Sequence, residues 1–171
     1  DAMHSAYKQR QSEGEMNTST LLQHQAQRLL QLGIALFLYS SFDGFAIPFL
    51  ASPRIGLSVH TLSALQAVML LAIGLMWPKL KLGPRVAQVA FWTLTYSALA
   101  ILAAYTVAAF WGVGIETISL MGELPHGLSQ GSLFQETFIK VLAYSSAPTG
   151  LTAFVLILWG LRITDAQSTK D

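Results

Sequence analysis

Residues 52–82, SPRIGLSVHTLSALQAVMLLAIGLMWPKLKL, read as one membrane-crossing helix with punctuation at both ends. Ser52-Pro53 opens it, because proline in the first helical turn gives up only an N–H that has no partner there. Trp77-Pro78-Lys79 closes it with an aromatic interfacial anchor, a helix stop and a cation in sequence. Between these marks the run is apolar for about 20 residues, the length that crosses a hydrocarbon core. One ionisable side chain, His60, stands inside it. A histidine carried into a bilayer is costly, so this one needs a use.

The rest of the chain repeats the pattern. Hydrophobic residues make up 53% and charged residues only 11% of 171, which marks a polytopic membrane protein and not a soluble domain. Four segments reach spanning length, at residues 29–50, 57–77, 86–111 and 137–161, and Pro48 closes the first. The expected fold is all-α, a four-helix bundle of membrane spans. A polar tail over residues 1–27, partly flexible to about Ser19, leads into one domain over 28–162, with a second polar tail over 163–171. About 28 polar residues precede the first span, which is therefore not a cleavable signal peptide. Met3 and Met16 suit a translation start equally well.

Lysine and arginine set the expected orientation. Lys8, Arg10, Arg28, Lys79, Lys81, Arg85, Arg162 and Lys170 fall on one side and Arg54 alone on the other. The loop at 112–136 carries Glu116, Glu123 and Glu136 without a cation. Both termini then face the cytoplasm of a bacterial inner membrane. A net charge of +1 offers no basic surface to nucleic acid, and the lack of cysteine removes disulfides, thiol catalysis, iron–sulfur clusters and C-x-x-C-H haem attachment. Any metal or cofactor falls to His, Tyr, Asp or Glu.

Polar residues recur at one depth. At about 1.5 Å per residue, Asp43 lies about 10 Å inside the outer end of the first span, His60 about 5 Å inside the second and Tyr105 about 9 Å inside the third. Lys140 follows at about 5 Å in the fourth, Ser145 and Ser146 at about 12 Å, and Gln66 at about 14 Å in the second. All four spans thus place hydrogen-bonding groups in the outer half, as a pocket between bundle helices requires. Plainer accounts stand beside this one: Lys140 snorkelling to the interface, Asp43 capping a helix break at Asp43-Gly44, Tyr105 in an aromatic belt.

Around His60 the neighbours one and two turns on are Ser63, Ala64 and Ala67, a low-profile face. It admits another helix packed close, or a flat macrocycle whose iron takes the imidazole. His4, His24 and His126 lie outside the spans, and no pair has the spacing of a metal clamp. A membrane haem bound here would have one histidine ligand from a span of this chain, leaving an open coordination position.

At these residues the chain resembles the hydroxylaminobenzene mutases, small four-span bacterial proteins of nitroarene degradation. The resemblance rests on residues 52–82 and on FIKVLAYSSAPTGLTAFVLILWGLR at 138–162, and covers about 130 residues. More distantly the chain is similar to styrene oxide isomerase, through Ser52-Pro53 followed eight residues later by His60, and through Pro78. The resemblance implies a haem-dependent isomerase that converts hydroxylaminobenzene to 2-aminophenol by intramolecular hydroxyl transfer, with ferric haem as Lewis acid. It further implies haem b (iron) on His60 and a homotrimer with haem between subunits. Tyr105 and Gln66 match a pocket tyrosine and a pocket asparagine; an acidic residue of the relative falls on Ser97, its role lost or passed to Asp43. Arg54 is the far-side cation placed to meet a haem propionate. The competing readings are an epoxide isomerase with the same haem, and a non-catalytic haem-binding membrane subunit.

Overall fold

The long helices follow from uninterrupted runs of apolar helix-forming residues, broken only where Pro or Gly intervenes. The computed structural model describes residues 2–118 and 129–162. Helix α1 covers Ala2–Ala46, α2 Pro53–Met76, α3 Pro84–Trp111, the single turn α4 Ile115–Ile118, and α5 Leu133–Gly160. Four helical stretches are long and apolar enough to cross a membrane: Thr18–Phe49, Pro53–Lys79, Pro84–Trp111 and Leu133–Gly160. The all-α, four-span expectation holds, and the protein is a membrane protein. The polar N-terminal stretch, read above as a partly flexible tail, is helical from Ala2 and continuous with the first span. It contains no proline and is rich in Gln, Glu, Met and Ala, so nothing in it stops the helix.

Because lipid tails are as apolar as leucine, spans associate by close packing and interhelical hydrogen bonds. The four spans pair accordingly. Helix α2 runs back along α1, and the pair meets through small residues: a Cβ on Gly33 would stand 2.8 Å from Leu71 and 3.1 Å from the Ala67 carbonyl, one on Gly74 3.3 Å from the Ala26 carbonyl. Helices α3 and α5 form the second pair, seamed by Ser97 Oγ donating to the Ser146 carbonyl (2.7 Å) and by Tyr96 with Ser145 (2.8 Å). The α2–α3 contact joins the two pairs. Large apolar side chains such as Leu65, Leu75, Val89, Leu151 and Leu158 stay exposed around the outside, facing the bilayer.

Trp77, expected as an interfacial anchor, is instead wholly buried. Its indole N–H donates to Gln25 Oε1 (3.0 Å) and its ring meets Phe91 edge-on at 6.3 Å. The side chain therefore locks α1, α2 and α3 together at this end, which satisfies its one donor. At the opposite end Ser52 is buried too, and its N–H donates to the Ala109 carbonyl (3.1 Å), tying the start of α2 to α3. Gly112 ends α3 in the left-handed conformation (φ 65°), and Ser132 opens α5 with a capping box to Gln135. Glu136 is buried there, its Oε1 accepting the N–H groups of Gly114 (3.0 Å) and Gly131 (3.1 Å).

A Gly33→Val substitution should lower stability by about 1–3 kcal/mol through overpacking. Thermal unfolding in detergent reads this, with Gly83→Ala as the control because a Cβ there meets nothing within 4 Å. Equal melting of the two variants contradicts the close α1–α2 contact.

Candidate active site around His60

The eighth residue of α2, His60, faces α1 two turns above the buried Ser52-Pro53 start. Its Nδ1 lies 2.9 Å from the carbonyl oxygen of Ser40. A carbonyl only accepts, so Nδ1 is the donor in this contact. The Ser40 hydroxyl returns the contact by donating to the His60 carbonyl (3.0 Å), as does Ser63 Oγ (2.9 Å). Room for the ring comes from Gly44, where a Cβ would stand 3.3 Å from Cε1 and 3.4 Å from Nδ1 of His60. A histidine whose second nitrogen is held by a backbone carbonyl is oriented as metal-bound histidines are. His60 is thus a packed residue held through Nδ1.

Asp43 joins this group. It is buried on α1 one turn after Ser40, and its Oδ2 has no hydrogen-bond partner. The helix runs through Asp43-Gly44 to Ala46, so Asp43 does not cap a break. Gln66 is buried further along α2 with Oε1 unpartnered. Tyr105 is half-buried against the core from α3. Arg54 is exposed in the first turn of α2, its carbonyl accepting from Ser58 Oγ (3.3 Å). Ser145 and Ser146, expected at the same depth as the site, belong instead to the α3–α5 seam, as does Ser97. Depth along a span does not show which way a residue faces, and these face the other pair. Lys140 is exposed on α5, and His126 lies outside the described residues.

Four site residues are not singled out by the sequence reading: Tyr39, Ser40, Gly44 and Thr106. Tyr39 Oη and Thr106 Oγ1 are 2.9 Å apart, bridging α1 to α3. A signal for three of them was present. Tyr39, Ser40, Asp43 and Gly44 recur at the three- and four-residue spacing of one helix face.

Among the described residues no three His, Asp or Glu side chains gather as a metal site. A metal at Nε2 would take one ligand from this chain. The end of the α1–α2 pair is open as well, with Phe42, Phe45, Phe49 and Leu57 exposed around it. Fold and site together define a four-span helical membrane protein with a single preset histidine beside a buried carboxylate. The chain belongs to the styrene oxide isomerase family, which it matches over residues 25–162. It is 41% identical over 146 residues to hydroxylaminobenzene mutase HabB of Ectopseudomonas oleovorans, across 85% of this chain and 87% of that one. To hydroxylaminobenzene mutase HabA of the same organism it is 27% identical over 133 residues, across 78% and 96%. No solved structure matches the chain significantly. The protein is an enzyme, an isomerase.

Histidine 15N NMR of the protein in detergent micelles, with His60→Gln for assignment, should show His60 as the neutral Nδ1–H tautomer. A resonance pattern of the Nε2–H tautomer contradicts the Ser40 contact.

Proposed function

We propose that this isomerase is a hydroxylaminobenzene mutase, converting phenylhydroxylamine to 2-aminophenol within the membrane. The observation that carries the proposal is the 41% identity to HabB across most of both chains. Phenylhydroxylamine is small and largely apolar, as suits a site reached from the bilayer. The reaction is an isomerisation: the N–O bond breaks, a C–O bond forms at the ortho ring carbon, that carbon loses a proton and the nitrogen gains one.

The donor set suits haem b: His60 offers a ring nitrogen with its orientation set from behind, and Arg54 on the same helix is the cation for a propionate. The small residues Ser63 and Ala67 are already covered by α1, so the group would lie outside the α1–α2 pair. When bound, ferric haem would supply a Lewis acid that weakens the N–O bond. The remaining work belongs to the chain. Asp43, buried with Oδ2 unpartnered, accepts the ortho proton and returns one to nitrogen. Tyr39, on the same helix face one turn before Asp43, is steadied by Thr106 on α3. Gln66, through its unpartnered Oε1, and Tyr105, through its hydroxyl, orient the hydroxylamine over one ring face. Apolar walls keep out the water that would otherwise attack the ring at the para carbon.

We take the protein as a homotrimer with haem between subunits, in which the exposed Phe42, Phe45, Phe49 and Leu57 near His60 meet a second subunit instead of lipid. The gathering of Lys79, Lys81 and Arg85 at the Trp77 end, beside the end of α5, supports an orientation with both termini in the cytoplasm. Epoxide isomerisation is the second reading, favoured by the family match itself.

Substrate labelled with oxygen-18 in the hydroxyl group should give 2-aminophenol that keeps the label in ordinary water. Loss of label rules out intramolecular transfer, and turnover of styrene oxide in preference to phenylhydroxylamine transfers the assignment to the epoxide reaction. Asp43→Asn should slow turnover at least about 100-fold, the usual scale of a lost acid–base group. Unchanged kcat removes Asp43 from the proton path.

A further inference from the structure

Away from His60, at the Trp77 end, α1 and α3 diverge and leave a cavity of about 680 Å³. It falls within the ~300–1,000 Å³ of ligand sites. None of the residues assigned to the reaction lines it. Its wall changes character along the helices. At the mouth stand Gln25, Arg28, Gln31 and Gln88, and deeper in come Leu32, Ala35, Phe91 and Thr95. Gln25 Oε1 is held by the Trp77 indole, which leaves its NH2 group as the donor for the cavity. A second cavity, lined by Arg85, Gln88 and Trp92 among others, adjoins through the two residues they share. Arg28 and Arg85 therefore flank one continuous groove, and among the described residues no acidic side chain lines either part.

We propose that this groove binds an anionic phospholipid, with the phosphate between Arg28 and Arg85 and an acyl chain along Leu32, Ala35 and Phe91. The polar-to-apolar run from Gln25 to Ala35 spans about 15 Å at 1.5 Å per residue, the dimension of a headgroup and the upper part of its chains. A free anion uses only the mouth and leaves the apolar depth unfilled. The flanking arginines supply charge complementarity worth about fivefold in binding each. The lipid fills the gap that the sparse α1–α3 contact leaves and so braces the pair that carries His60 against α3. This reading stands whether or not haem binds at His60.

Native mass spectrometry of the full chain in detergent tests it, with equal palmitoyl-oleoyl phosphatidylglycerol and phosphatidylcholine. Phosphatidylglycerol should be retained preferentially, Arg28→Gln should lower that preference about fivefold, and Arg28→Gln with Arg85→Gln should abolish it. Both arginines are exposed, and circular dichroism confirms that the variants fold. Equal retention of the two lipids by the unaltered chain, or an unchanged preference in the double variant, overturns the proposal. Displacement of the lipid by millimolar inorganic phosphate assigns the mouth to a free anion instead. A photo-crosslinking residue at Gln31 should label lipid; a crosslink to a second copy of the chain refutes the lipid site.

Discussion

The backbone carbonyl of Ser40 and the Nδ1–H of His60 set the terms for the rest of this molecule. A buried polar group left unpaired in lipid costs several kcal/mol, so α2 cannot carry an imidazole past α1 without offering it an acceptor. The acceptor is a helix carbonyl, and the absence of a side chain at Gly44 lets the ring reach it. Satisfying one nitrogen from inside the helix pair leaves the other facing away from it. The same bond that makes His60 tolerable in the membrane makes it usable as a base or a ligand.

Helix pairing determines how that nitrogen can be used. The α1–α2 and α3–α5 pairs each have a seam of small and hydroxylated residues, and α5 takes no direct part in building the His60 cluster. Three helices contribute instead: α1 through Tyr39, Ser40 and Asp43, α2 through His60, and α3 through Thr106. Asp43 is the expensive member, since a carboxyl group in mid-span costs about 2.5–3.5 kcal/mol on insertion scales. Its Oδ2 has no hydrogen-bond partner, as the proposed proton transfer requires.

The four spans were legible because their lengths, their flanking prolines and their lack of charge each point the same way. His60 stood out for the same reason, as one ionisable group in a long apolar run. The Ser-Pro pair eight residues before it gains a physical meaning from the structure: buried Ser52 ties α2 to α3 and thereby sets the height of the histidine. What the sequence hid was facing. Depth alone grouped Ser145 and Ser146 with His60, although their hydroxyls and carbonyls serve the α3–α5 seam. Trp77 looked like a belt residue beside Pro78 and Lys79, yet its indole is buried because Gln25 on α1 offers a partner. Tyr39 and Ser40 drew no notice as ordinary residues in a span, and only the opposing helix makes them part of a site.

The central claim is that His60, preset by Ser40, presents Nε2 as the ligand of an iron cofactor. Visible absorption of the purified protein tests this most directly, comparing the unaltered chain with His60→Ala after both are expressed with haem supplied. The account predicts a Soret band in the unaltered protein and its loss in His60→Ala, with helical content unchanged in both. A haem-free protein that turns over phenylhydroxylamine at full rate, or a Soret band that survives the substitution unshifted, contradicts it.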